Sequence, residues 1–463
     1  MKRRTDPARG VTVLTGCAIL VMLSATLIGA ASVLGGEGMD PQARALVQQA
    51  DLAYRSARFD EAEAAYRQAA ALEPESSRVL EGLAAIALLG NRADEAARLL
   101  EQAIQLAPWH SGFWPMDVQR KTRLAMAYYR QNRFDDASRL FRAAAGPIPL
   151  GPLGELETLA RHTGLFAGLV PYALDGPAQD RIPFVVTDPL PVLPVSVNGS
   201  PPAYFILDTG GAEIILDDEF AGEVGAELAG AFAATYGGGR QARTGVGRAD
   251  SVSLGAFTIR QVPIHTLDVD PISSLYDGLR IQGVIGTRLL LHFLATLDYR
   301  DGALILRRPT PENLQALDRH VADTGAAQIP FWLAEMHYML AWGQLNGADP
   351  ALFFIDTGLA GKAFTARQET LEQAGIIPDW TKAEQGIGGG GAVRSVDFVV
   401  DRLTLGSGAT QVVRTNLPGV VMEGSTPPLG DVLGFRVGGL ISHAFFRDLA
   451  VTFDFSRMRM ILE

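Results

Sequence analysis

The chain has 463 residues, 48% apolar and 20% charged, which excludes wholesale disorder and calls for about three domains. Its formal net charge of −11 argues against a nucleic-acid surface, and outside the first nine residues no polybasic stretch suits a membrane surface. Cys17 is the only cysteine, so the chain beyond it has no disulfide, thiol nucleophile or thiolate metal site.

Lys2, Arg3, Arg4 and Arg9 precede an apolar run from Val11 to Leu34. Residues 1–38 are therefore expected to be a signal peptide or an N-terminal membrane anchor. Positive charges ahead of such a run hold the N-terminus in the cytoplasm, and both readings export the remainder, to the periplasm, the medium or the outer face of the inner membrane.

From Ala43 the apolar residues follow a helical period. Ala62, Ala69, Leu72 and Pro74 recur as Ala96, Ala103, Leu106 and Pro108, all 34 residues on, and Arg58-Phe59-Asp60-Glu61-Ala62 recurs as Arg133-Phe134-Asp135-Asp136-Ala137. The third unit is displaced by seven residues, which Trp109–Pro115 account for. Residues 43–146 resemble tetratricopeptide repeats, with small residues where helices cross. The resemblance implies a concave surface for a protein partner or peptide; a spacer role is the alternative. Residues 147–181, rich in Pro and Gly, are expected to be a linker with a short helix near Leu156–His162.

The remaining chain says the same thing twice. Asn198–Gly210 and Asn346–Gly358 align without a gap at an offset of 148, each apolar run ending in Asp-Thr-Gly. Upstream, Ile182-Pro183-Phe184 matches Ile329-Pro330-Phe331; downstream, Gly283–Tyr299 matches Gly439–Phe455 at an offset of 156, so the second copy carries a net insertion of eight residues. Half 1 is expected over 182–310, a linker over 311–328, and half 2 over 329–463. Each copy puts a carboxyl group at the tip of a buried strand. A tandem pair of these suggests one active site made from two equivalent halves.

Each copy resembles a half of a retropepsin-like or pepsin-like aspartic protease: strand, Asp-Thr-Gly, glycine-rich hairpin, apolar-apolar-Gly segment, helix and last strand. The fold this implies is multidomain, an α-helical repeat domain followed by an all-β bilobal domain built from two such halves. Asp208 and Asp356 are then the catalytic pair. Two carboxyl groups so close cannot both ionise, so they hold one proton between them and can activate a water while polarising a peptide carbonyl. By the same resemblance Thr209 and Thr357 bond across to the opposite loop, while Gly210 and Gly358 permit tight turns that aim backbone N–H groups at the carboxylates. Tyr236-Gly237-Gly238 and Ile387-Gly388 are candidate flaps closing over substrate.

A third Asp-Thr-Gly, Asp323–Gly325, follows no buried strand and reads as a solvated turn. Gly211 and Leu359 stand where the family has Ala or Ser, and Ser442 replaces a Gly; Leu359 is expected to crowd the site or remove a hydrogen bond, Ser442 to be tolerated. The seven histidines lack metal-ligand spacing and are expected to be surface or packing residues. The expectation is an aspartic endopeptidase that needs neither metal nor cofactor, cleaves protein or peptide substrates and works as a monomer, with a partner or substrate recruited by the repeats. The alternative is a catalytically silent peptide-binding scaffold of the cell envelope.

Overall fold

The computed structural model describes residues 12–14, 39–106, 115–147, 152–236, 239, 241–388, 391–408, 410–423 and 433–463. The expected leader or anchor, 1–38, lies outside these apart from Thr12–Leu14, whose backbone runs parallel to Gly386–Gly388. Among the described residues no helix is long and apolar enough to cross a membrane.

Seven helices come first: α1 (Pro41–Arg55), α2 (Phe59–Leu72), α3 (Ser77–Leu89), α4 (Ala93–Leu106), α5 (Pro115–Arg130), α6 (Phe134–Ala145) and α7 (Pro152–Gly164). The repeat set its small residues where the helices cross: Ala62, Ala69, Ala96 and Ala103 are all fully buried. Each pair turns on one residue in the left-handed region, Ala57, Asn91 and Asn132, at spacings of 34 (91 − 57) and 41 (132 − 91). Asn tolerates that conformation well. Most of Trp109–Pro115, which accounts for the longer spacing, lies outside the described residues.

The short helix expected near Leu156–His162 is α7. It is 13 residues long and packs on α6, because Leu156 and Ala160 are buried on one of its faces. The expected linker 311–328 likewise holds a 14-residue helix, Pro311–Thr324, capped by the Thr310 side chain and ended by Gly325 at φ 67°. The third Asp-Thr-Gly is thus a helix C-terminus, where glycine relieves the left-handed cap.

The β-region is two large sheets over a shared third one. Half 1 supplies seven of the eight strands of its sheet from 192–285, and half 2 supplies eight of the nine strands of a sheet that closes on itself through Tyr338–Leu345 and Gly391–Ser407, the ninth being Thr12–Leu14. The repeat offset grows along the fold: it is 148 at the Asp-Thr-Gly loops and 153 where Leu254↔Phe257 and Ser407↔Thr410 close the second hairpins (407 − 254). Five of the eight inserted residues therefore lie between the Asp-Thr-Gly loop and the turn of the second hairpin of half 2.

The third sheet joins the halves. Its six strands run 327–330, 459–462, 450–454, 294–298, 303–307 and 179–183. At its centre Thr296 faces Thr452, with hydroxyls 2.7 Å apart. Since 452 − 296 is 156, the repeat offset there, each threonine pairs with its own repeat equivalent, and a pseudo-twofold axis passes between them.

The helical region packs against both halves instead of standing apart from them. Phe59 of α2 meets Trp332 and Phe435 edge-on at 5.3 and 4.9 Å. Arg130 of α5 donates to the Leu333 carbonyl (3.1 Å), and His162 of α7 contacts the Gly247 carbonyl (2.9 Å).

Candidate active site

Two apolar strands, Ala203–Leu207 and Ala351–Ile355, end side by side at the pseudo-twofold axis. Each lies parallel to an inner strand of its sheet, Ile281–Ile285 or Val437–Ile441. The next N–H continues the pairing: Asp208 donates to Ile285 and Asp356 to Ile441, both at 3.0 Å. The carboxyl groups are thereby held in register although the strands have ended.

The loops lock reciprocally. Thr209 N donates to Thr357 Oγ1 and Thr357 N to Thr209 Oγ1, both at 3.0 Å. Each hydroxyl passes its proton across to the opposite strand's last carbonyl, Thr209 to Ile355 (2.9 Å) and Thr357 to Leu207 (3.4 Å). Gly210 N donates to Asp208 Oδ1 (2.8 Å) and Gly358 N to Asp356 Oδ1 (2.9 Å). The glycines are needed for room: a Cβ at Gly210 would lie 2.4 Å from the Asp356 carboxyl, and one at Gly358 2.2 Å from that of Asp208. Each loop is pressed against the other's carboxyl group.

Asp208 and Asp356 are fully enclosed, 0% and 1% exposed. Burial first, and then the neighbouring Asp356 charge, push Asp208 well above the usual carboxylate range. Burial also raises Asp356, against hydrogen bonds that favour its charged form.

The two departures of half 2 answer one another. Leu359 turns into an apolar cluster with Tyr338, Phe354 and Leu440, and its N–H donates to Ser442 Oγ (2.9 Å). Leu359 therefore gains a hydrogen bond instead of losing one. In half 1 no side chain fits at the matching place, since a Cβ on Gly286 would lie 2.3 Å from the Glu213 carbonyl.

Of the candidate flap residues, Gly237 and Gly238 lie outside the described residues. Tyr236 is fully buried at the end of Glu227–Thr235, its hydroxyl bonded to Thr244, in a cluster with Val192, Ala212 and Ile215. It is thus a buried anchor at the tip of the first hairpin, next to the Thr235–Gln241 pair. The backbone of Ile387 and Gly388 is the tip of the strand Glu384–Gly388, paired with Gly391–Ser395.

A polar cluster that the motif reading missed adjoins the Asp208 loop. Glu213 is 1% exposed and accepts from Tyr129 of α5 (2.8 Å) and from Tyr172. Arg288, also 1% exposed, lies 3.7 Å from Glu213, stacks over the Tyr129 ring and donates to the Tyr129 carbonyl (3.4 Å). Burial pushes Glu213 upward, while Arg288 and the two tyrosine hydroxyls pull it back. One signal for it lay in the repeat. The residues matching Glu213 and Arg288 in half 2 are Gly361 (213 + 148) and Ala444 (288 + 156), so a charge pair sits in one copy only.

Three of the histidines turn out to be buried and grouped, whereas His320 is exposed. His162, His265 and His337 line a cavity of about 60 Å³ beside this loop, and burial holds them down to about 4, 3 and 3, so they are neutral. Among the described residues no three metal-ligating side chains are placed to hold an ion.

Residues 193–289 match the family model of the aspartyl protease. Residues 47–108 match the tetratricopeptide repeat model. Similar solved structures include a retropepsin-like aspartic protease from Rickettsia conorii (19% identity, 30% of this chain and 95% of that one, TM-score 0.22). Others are the N-terminal domain of stress-induced protein-1 from C. elegans (19%, 26% and 97%, TM-score 0.24) and the Sgt2 TPR domain from Aspergillus fumigatus (17%, 29% and 85%, TM-score 0.24). No curated protein matches the chain.

Proposed function

We propose that the chain is an aspartic peptidase in which Asp208 and Asp356 form one catalytic pair. The observation that supports this most is the reciprocal loop lock, which puts each carboxyl group against the glycine of the opposite Asp-Thr-Gly. In this reading the pair holds a single proton, shared as a unit and assigned to neither residue. The ionised carboxylate takes a proton from a water as its oxygen bonds to the peptide carbonyl carbon. The protonated one donates to the carbonyl oxygen. Collapse of the tetrahedral intermediate then breaks the C–N bond, with a proton delivered to the leaving amine. Thr209, Gly210, Thr357 and Gly358 hold this geometry.

The test is cleavage of a diverse peptide pool by the purified chain and its Asp208→Asn and Asp356→Asn variants. Either substitution is expected to lower turnover on the order of 10³-fold or more, and both together no further. Full activity in either variant would overturn the reading. Complete enclosure of both carboxyl groups favours a second one, a silent peptide-binding scaffold. Tight peptide binding by all three proteins with no cleavage would select it. We further propose export through residues 1–38, tested by a topology reporter fused after residue 40, and a peptide or protein partner for the repeats.

A further inference from the structure

The cavity beside the Asp208 loop has a floor, a roof and walls from four parts of the chain. Ala212 and Glu213, which follow Asp208-Thr209-Gly210-Gly211 directly, make the floor. Phe232, on the first strand of the flap hairpin, makes the roof. His337 and Tyr338 come in from half 2; the His337 ring meets Tyr338 at a tilt of 38° and lies against the Gly210 backbone. A space between flap strand and catalytic loop is where a substrate chain would run.

Its far end is shut by the helical region. Met126 and Tyr129 of α5 and Leu159 and His162 of α7 line it there, and of all the lining residues only Glu335 is exposed. The first flap hairpin is tied to the same helices. His162 Nε2 lies 2.9 Å from the Gly247 carbonyl, Arg248 donates to the Leu165 carbonyl (2.9 Å), and a Cβ on Gly230 would lie 3.3 Å from Thr158 and Arg161. At the equivalent place in half 2, Gly361 and Lys362 are partly exposed and Gly361 donates to the Pro189 carbonyl (3.2 Å). One end of the cleft is walled and the other is not.

The walled end also holds polar atoms without partners. Nδ1 of His162, Nδ1 of His265 and both ring nitrogens of His337 are buried and make no hydrogen bond of ordinary geometry. Neutral imidazole offers a donor on one nitrogen and an acceptor on the other, which suits a polar chain terminus. About 60 Å³ has room for roughly four to six water-sized centres, the size of one medium side chain.

We propose that this cavity is a blind subsite that takes the terminal residue of a peptide, so that cleavage is confined to bonds near an unblocked chain end. This rests on the aspartic peptidase reading and narrows the expected endopeptidase to an end-trimming enzyme. Leu159 and Met126 set the depth of the subsite, and the three histidines hold the terminal group.

The experiment uses the full chain and one decapeptide sequence in four forms: free at both ends, acetylated, amidated, and blocked at both ends, with products read by mass spectrometry. Products shorter by one or two residues are expected from one free end, and blocking that end should lower kcat/KM at least about tenfold, since its polar group is lost to the subsite. Leu159→Ala and, separately, Met126→Ala should lengthen the fragment released. Internal cleavage of the doubly blocked peptide at the rate of the free one would overturn the blind subsite and leave the peptidase reading standing. Cleavage of none of the four forms, equally by wild type and Asp208→Asn, would overturn both.

Discussion

The two halves carry the same loop and secure it differently. In half 1 the residues after Asp-Thr-Gly are buried beneath α5 and α7, and a Glu213–Arg288 pair is clasped by tyrosines from outside the half. In half 2 the corresponding residues are Gly361 and Ala444, the loop is partly exposed, and the support is local: Leu359 on Ser442, and Lys362 on the exposed Asp397. A buried ion pair gives weak net stability but strong geometry, and removing one partner leaves an uncompensated charge. Duplication thus produced two Asp-Thr-Gly loops, and the helical domain buries the residues that follow one of them.

Four changes would break or sharpen this comparison. The largest concerns what the halves share. Gly210→Ala and Gly358→Ala should each lower kcat on the order of a hundredfold, because the new methyl collides with the opposite carboxyl group, and misplacement by an ångström has that cost. Equal losses in steady-state kinetics would show the loops to be equivalent; a loss in one alone would show that they are not.

Next comes what only half 1 has. Tyr129→Phe leaves a buried Glu213 oxygen without its donor and should lower stability by about 1–3 kcal/mol in urea unfolding. Lys362→Gln, which opens the exposed pair of half 2 with Asp397, should change it by less than about 0.5 kcal/mol. Similar effects in both would remove the contrast.

Acid tests the groups buried around both loops. His162, His265, His292 and His337 have folded proton affinities depressed to between about 3 and 4 by burial, against 6.5 ordinarily. As the pH falls below 6.5 the unfolded chain takes up protons that the folded one refuses, so stability is complete above that pH and declines below it. The Asp208–Asp356 pair has the opposite sign, its raised affinity making the folded state lose stability as pH rises above 3.8. The melting temperature should therefore fall in mild acid, less steeply in His337→Gln, while Asp208→Asn should raise it at neutral pH. A melting temperature flat from pH 7 to 4 would contradict this.

Last is Ser442→Ala, which deprives the Leu359 N–H of its acceptor and should lower stability by about 1 kcal/mol. No change in chemical denaturation would mean that the Leu359 cluster alone holds the loop.

The duplication was legible because it repeats in register: two apolar strands, two Asp-Thr-Gly loops and two closing strands at offsets that the pseudo-twofold axis reproduces at Thr209–Thr357 and Thr296–Thr452. The helical repeats were legible from their alanines for the same reason. What joins the domains was not. Tyr129, Tyr172, Glu213 and Arg288 are scattered over 160 residues with no periodicity, and only folding makes them neighbours. The grouping of the histidines was hidden in a similar way: His162, His265 and His337 lack any spacing, yet α7, an inner strand of half 1 and the first hairpin of half 2 bring them to one cavity. Leu359 looked like an obstacle in isolation, because its compensation at Ser442 lies 83 residues away.

The central six-stranded sheet has a consequence for the order of synthesis. Its strand Arg459–Leu462 is held between Ala327–Pro330 and Ala450–Asp454, and Ala450–Asp454 is what pairs the halves along the axis. The pairings with Ala327–Pro330 and Leu294–Asp298 span more than a hundred residues and close late, because distant segments lose more entropy on meeting. A ribosome that has delivered residues up to about 440 has made both aspartates but not the floor that brings them together. On the proposed reading, a nascent chain is harmless to its neighbours until its last strand emerges.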